Sequence, residues 1–334
     1  MPIADASTYT APSGTIPTAL QSTASDRERD QMSEQSREET VGFIGLGAMG
    51  LGMATNLRKA GVPLVVYDID QSRNEALAEL GATVADGPAD VARQASIVCT
   101  MVDTNEQSQD VIVRPGGIID EARSGDIVMC MSTIDPVTVR AMHDTLAEKG
   151  VRMIDSPVVG MVKGATNGTL RAYVGGAEEV VAACSHVFEP MTQEVIHVGG
   201  IGQGLAMKLI NNMLYHVSSI AAIEAMMLGV KAGLDPQVMK DVIGRSTGNS
   251  AAFQYRADRI IRRDFDGVRL DISVKDMELE LSLGKAFGVP LLLPSIALQV
   301  FRMGSASGMG SDDATGIVRI YEDICRTVIG EDAT

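Results

Sequence analysis

Tryptophan is absent from this 334-residue chain, and Tyr and Phe together make up only 4% of it. Base-stacking platforms are built from such rings, so the composition supplies no basis for one. Basic residues are scarce as well: 28 Lys and Arg stand against 43 Asp and Glu, a net charge of −15. Binding to a phosphate backbone or an anionic membrane surface needs clustered Lys and Arg. Neither nucleic acid nor a membrane is therefore an expected partner. No run of 18 apolar residues occurs, so no membrane-crossing helix is expected. The four cysteines include no CxxC pair, and Cys99 and Cys130 fall inside apolar, strand-like runs. Buried thiols are expected rather than disulfides or a zinc site. His143, His186, His197 and His216 lie far apart, with no HExxH or facial-triad spacing, so no metal is expected.

What is present is a chain long enough for two domains at roughly 150 residues each. Apolar residues make up 45% and charged residues 21%, ordinary for a soluble globular protein. The first forty residues differ: they are rich in Ser, Thr, Ala, Pro and Gln, carry a net −4 and leave −11 for the rest. They lack the basic start and apolar stretch of a signal peptide, and no arginine precedes Arg27, so a cytoplasmic location is expected. Two readings of residues 1–40 stand together, a disordered tail or a true start at Met32.

From Val41 the pattern changes. Val41–Ile44 reads as a short buried strand, and further strands are expected at 64–68, 96–102, 126–130, 151–155 and 170–174, with helical stretches between most of them. Such alternation predicts an α/β domain over 41–202, a Rossmann-type, doubly wound parallel sheet. Directly after the first strand stands Gly45-Leu46-Gly47-Ala48-Met49-Gly50. In that setting Gly45 permits the tight turn, Gly47 leaves room for a pyrophosphate, and Gly50 lets the helix pack against the sheet. The helix start offers free N–H groups to phosphate. Asp68, 18 residues after Gly50, stands where a carboxylate accepts both ribose hydroxyls and repels a 2′-phosphate. NAD is the expected cofactor, NADP the lesser one. Alternatively, Asp68 caps the next helix, a task Asp70 or Ser72 can also perform.

From about Gly204 the pattern is helical, which predicts an all-helical domain over 203–330 for substrate binding and oligomerisation. Near the start of its first helix, Lys208 and Asn212 stand four apart on one face. An amine in so apolar a run has its charged form disfavoured, and it can then exchange a proton with a hydroxyl near neutral pH. Asn212 would hold either Lys208 or the substrate oxygen. The plainer reading, a lysine whose amine runs out to water, stands beside this one.

GFIGLGAMG (42–50), MSTIDP (131–136), DSPVVGMVKGATNGTL (155–170), GQGLAMKLINNMLY (202–215) and VKDMELE (274–280) stand in this order over 41–328. In these motifs the chain resembles the β-hydroxyacid dehydrogenase family of the 6-phosphogluconate dehydrogenase superfamily, most closely its 3-hydroxyisobutyrate branch. The resemblance implies an NAD-dependent enzyme (EC 1.1.1.-) with Lys208 as catalytic lysine and Asn212 as its partner. It places Thr133 and Lys275 against the cofactor, Met101, Val102 and Asp103 on its ribose side, and Ser132 at the substrate. It further implies a homodimer or homotetramer.

One departure stands out. The family pattern Pro-Val-Ser-Gly-Gly, whose Ser hydroxyl and glycine amides bind the substrate carboxylate, is here Pro157-Val158-Val159-Gly160-Met161. Val159 lacks the hydroxyl, and Met161 fills the place of a glycine. A changed substrate range is expected, with Val159, Gly160, Met161 and Lys163 lining the substrate. The plainer reading of Lys163 is a solvated loop lysine, and Arg269 is a second candidate for an acidic substrate end. The expected substrate is a small, anionic, 3-hydroxyisobutyrate-like hydroxy acid. The alternatives are another anion, such as a sulfonated or other semialdehyde, or a non-catalytic cofactor-binding module.

Overall fold

The computed structural model describes residue 34 and residues 37–330. The strands are β1 (Val41–Ile44), β2 (Leu64–Tyr67), β3 (Thr83–Val84), β4 (Ile97–Thr100), β5 (Ile127–Cys130), β6 (Arg152–Asp155), β7 (Val158–Val159), β8 (Leu170–Gly175) and β9 (Thr192–Gly199). They form one sheet in the order β3-β2-β1-β4-β5-β6-β8-β7, with β9 paired to β8. From β3 to β6 all neighbours are parallel, the Rossmann order, and the chain reverses direction through the sheet between β1 and β4. Ligands of such sheets bind at that switch point, at the carboxyl ends of the strands. β1, β4 and β5 are buried along their whole length, which explains their unbroken apolar sequences. Apolar clusters lie on both faces of the sheet.

The sheet is not parallel throughout. β8 runs antiparallel to β6 and β7. Only residues 160–169, most of them the Met161–Asn167 helix, lie between β7 and β8, and so short a link does not carry the chain back for parallel pairing. The two-residue strands β3 and β7 are too short to leave a periodicity.

The disorder expected for 1–40 does not hold at its C-terminal end. Arg37 is buried, with Nη1 2.9 Å and Nη2 2.5 Å from the two carboxylate oxygens of Asp126, and it also donates to the carbonyls of Ala92 and Arg93. That bidentate pair ties the segment before β1 to the start of β5. The rest of the expected tail, except residue 34, lies outside the described residues.

Beyond β9 the described chain is helical. Its axis is the 29-residue helix Gln203–Lys231, followed by helices Pro236–Ile243, Ala251–Ile261, Leu270–Ala286, Leu292–Ala306 and Val318–Cys325. They enclose a third apolar cluster around Ile223, Met226, Ala257, Met277 and Phe301. The long helix ends at Gly233 (φ +86°), and Asp235 caps the next one from its side chain to the Val238 amide. By length and composition Gln203–Lys231 is long and apolar enough to cross a membrane. Its first half nevertheless carries Lys208, Asn212 and His216, each hydrogen-bonded within the fold.

Candidate active site

The turn after β1 is built by what its glycines lack. A Cβ on Gly45 (φ +93°) would sit 2.3 Å from the Met101 carbonyl oxygen, and one on Gly50 would sit 1.9 Å from the Gly45 carbonyl oxygen. Gly47 opens outward, and Ala48 is exposed. This leaves a side-chain-free cradle at the start of helix Gly50–Lys59, at the switch point, with the Met101-Val102-Asp103 segment on its other side. The cradle fits a dinucleotide pyrophosphate. Asp68 is buried beneath it. Its Oδ2 accepts from the Leu46 amide at 2.6 Å and its Oδ1 from the Asp70 amide at 2.8 Å. Asp70, not Asp68, caps the following helix at Ser72. Arg73 was not singled out from sequence. Its Nη1 lies 3.6 Å from Asp68 Oδ2 and 3.8 Å from the Cβ position of Gly47, so a guanidinium borders the cradle.

At the carboxyl ends of β5 and β7 the helical domain meets the sheet. Lys208 Nζ donates to Thr133 Oγ1 at 2.7 Å and to the Val158 carbonyl at 2.9 Å. Burial pushes its amine down to about 8, with the Asp276 carboxylate holding it up and the Lys275 ammonium adding to the drop. Asn212 Nδ2 donates to Asp276 Oδ2 at 3.1 Å, so its partner is the acid of the Lys275-Asp276 pair rather than Lys208. Lys275 Nζ bonds the carbonyls of Thr133 at 3.2 Å and Asp103 at 3.4 Å, bridging the two domains. Lys208, Thr133, Asn212 and Lys275, far apart in sequence, are thus brought together. Ser132 is fully buried, and its Oγ accepts from the Val102 amide at 2.8 Å, which fixes the segment after β4.

Asp155 at the end of β6 was also missed as a functional residue, although it opens one of the quoted motifs. It is fully buried; Oδ1 accepts from the Gly202 amide at 2.6 Å and Oδ2 from the Leu205 amide at 2.7 Å. Gly202, the cap residue, supplies no side-chain cap, so Asp155 caps this helix start across the domain boundary. The approach is close enough that a Cβ on Gly204 would meet the Tyr173 carbonyl oxygen at 2.4 Å. Burial pushes the Asp155 carboxyl up to about 6 against the pull of these amides.

The loop after β7 carries the departure noted above. Val159 is partly buried, Gly160 has φ +139° and Met161 φ +57°, a left-handed conformation that costs a side chain about 1 kcal/mol. Met161 and Lys163 are exposed. Arg269 lies elsewhere: it pairs with Asp271 and lines a crevice with Phe265, Asp266 and Ser311. Among the described residues no three His, Cys, Asp or Glu side chains converge to hold a metal ion.

Fold and site define an NAD(P)-binding oxidoreductase with a lysine at the junction of its two domains. Residues 40–199 match the family model described as the NAD binding domain of 6-phosphogluconate dehydrogenase. Residues 202–321 match that described as NAD-binding of NADP-dependent 3-hydroxyisobutyrate dehydrogenase. The chain is 35% identical over 286 residues to 2-(hydroxymethyl)glutarate dehydrogenase of Eubacterium barkeri, covering 85% of this chain and 95% of that one. It is 33% identical over 291 residues to the mitochondrial 3-hydroxyisobutyrate dehydrogenase of Mus musculus, covering 85% and 87%. Among solved structures it superposes on Mycobacterium tuberculosis 3-hydroxyisobutyrate dehydrogenase with L-serine at a TM-score of 0.81, with 29% identity over 85% of this chain and 99% of that one. The chain belongs to the 3-hydroxyisobutyrate dehydrogenase family of NAD(P)-dependent hydroxyacid dehydrogenases.

Proposed function

We propose that the protein interconverts a small anionic 3-hydroxy acid and its aldehyde or keto form, with NAD as the preferred cofactor and Lys208 as general acid and base. The observation that carries this reading is the desolvated Lys208 amine between Thr133 and Val158. Those two acceptors take two of the ammonium's three protons. The third, or the lone pair of the neutral amine, is left for a substrate hydroxyl. In oxidation the neutral amine takes the hydroxyl proton as hydride leaves the same carbon. In reduction the ammonium returns a proton to the developing alkoxide. The bound nicotinamide supplies the hydride acceptor or donor. Thr133 and Lys275 hold the domains around it, and Asn212 fixes Asp276 beside Lys208. With Lys208 titrating at about 8, oxidation rises through that pH and reduction falls through it. A Lys208→Met variant is expected to lose about 10³-fold in kcat with NAD(H) binding kept; wild-type turnover in that variant would overturn the assignment.

Val159 and Met161 support a substrate other than 3-hydroxyisobutyrate itself, because the loop offers amides but no hydroxyl to the carboxylate. The name of the Eubacterium relative points to a longer acid with a second carboxylate. Turnover of a panel of 2-substituted 3-hydroxy acids, sulfonates and semialdehydes separates these. A homo-oligomer belongs to the same proposal: the helical domain leaves Leu228, Leu292, Leu293 and Ile296 between 64% and 74% exposed, an apolar surface suited to a second copy. Light scattering that found only the 35.3 kDa monomer would sink it.

A further inference from the structure

Lys208, Asn212 and His216 follow one another at four-residue intervals on Gln203–Lys231, so they form one stripe. Asp276 and Glu280 repeat that spacing on Leu270–Ala286. The stripes meet rung by rung. Asn212 bonds Asp276, and one turn deeper His216 Nδ1 lies 2.8 Å from Glu280 Oε1. The deeper rung is closed off from solvent, with His216 3% and Glu280 2% exposed. The ring of Phe301 packs edge-on against His216 at 5.6 Å, and Tyr215 at the same distance. An apolar pair of the same volume would fill this space without the cost of desolvating a carboxylate. The column is also incompletely satisfied: among the described residues Glu280 Oε2 has no hydrogen-bond partner, and Asp276 Oδ1 has only the Lys275 ammonium at 3.5 Å.

We propose that the His216–Glu280 pair is a positioning element that, together with Asp276, sets the proton affinity of Lys208; this rests on the reading of Lys208 given above. An ionised Glu280 adds, one rung further along the buried column, to the charge of Asp276, the carboxylate that directly favours the Lys208 ammonium. Burial raises the Glu280 carboxyl, and the hydrogen bond with His216 draws it part of the way back. Lys275 faces the same column beside Asp276 on its own helix. Arg256 of Ala251–Ile261 lies over the Tyr215 ring at 5.5 Å, and Asp155 stands behind the helix start. The strand β7, the segment after β5 and helix Leu292–Ala306 present Val158, Thr133 and Phe301, which do not titrate.

The test is trace acetylation of the native protein with acetic anhydride across pH, read at Lys208 by peptide mass spectrometry with exposed Lys163 as internal reference, alongside the pH–rate profile. Glu280→Gln keeps an acceptor for His216 and removes the charge. It is expected to move the Lys208 limb to lower pH by half a unit or more, about a threefold gain in labelling on its acid side. The double variant His216→Leu/Glu280→Leu replaces the rung by an apolar pair, is expected to match or exceed the wild-type Tm, and should shift the limb in the same sense. A role in packing alone predicts an unmoved limb, and that result in both folded variants overturns the proposal. A labelling limb that shifts while the pH–rate profile does not follow supports the coupling and overturns instead the assignment of Lys208 as the catalytic acid and base.

Discussion

Asp68 and Asp155 are two strand-end carboxylates on opposite sides of the site, and each accepts two main-chain amides while buried. Their surroundings divide them. Asp68 holds the glycine cradle from within its own domain and has the Arg73 guanidinium 3.6 Å away. Asp155 reaches from the sheet into the helical domain, holds the start of the helix that carries Lys208, and has no cation within ion-pair distance among the described residues, only the more distant field of Arg140. One shapes where a ligand lies, and the other fixes where Lys208 stands, one turn beyond the Leu205 amide that it binds. The same residue type at the same structural position thus braces the glycine cradle in one case and the start of the Lys208 helix in the other.

The larger expected effect is at Asp155. An Asp155→Ala variant bares two buried amides, each at a cost of about 1–3 kcal/mol, and urea denaturation should show a loss of a few kcal/mol with kcat falling by roughly 10²-fold as Lys208 loses its registration. Asp155→Asn keeps one acceptor and turns an NH₂ toward the second amide, so it should lose most of the activity as well. Protonation does the same in the wild type, so turnover should fall as pH drops through about 6, and the Asn variant should lack that limb. Stability runs the other way. The folded carboxyl holds its proton up to about 6, against 3.8 ordinarily. That proton favours the folded chain below this window, and its contribution is lost as pH rises through it. An acid limb unchanged in Asp155→Asn would show that the two carboxylates are equivalent structural braces.

How much of this was legible in the sequence follows from the same contrast. The Rossmann half could be read because its cradle is a contiguous string, Gly45 to Gly50, whose meaning lies in missing side chains and needs no knowledge of distant contacts. Lys208 and Asn212 could be paired because helical spacing is local. What escaped was set across the domain boundary: the amide partners of Asp155, the donation of Asn212 to Asp276 rather than to Lys208, and the buried rung of His216 and Glu280, 64 residues apart. The bond from the Val102 amide to the Ser132 hydroxyl, 30 residues on, was likewise beyond local pattern. Arg37 was read as tail because its partner Asp126 stands 89 residues on, beyond any local pattern.

The smaller effect, at Asp68, sharpens the cofactor side. In dinucleotide folds a carboxylate at the end of the second strand accepts ribose hydroxyls and repels a 2′-phosphate, while a free guanidinium attracts one. Asp68 and Arg73 stand together at the cradle, so the preference is set by which of them dominates, and the burial of Asp68 with its bond to Leu46 gives it the fixed position. Asp68→Asn is expected to raise KM for NAD by about tenfold through loss of a charge-assisted hydrogen bond. It should lower KM for NADP by several-fold as Arg73 is released toward the phosphate, with kcat within about twofold of wild type because Lys208 is untouched. Arg73→Ala in that background should remove the gain for NADP and leave the loss for NAD. If both cofactors weaken equally in Asp68→Asn, then Asp68 braces the turn as Asp155 braces the helix, and the discrimination lies elsewhere in the cradle.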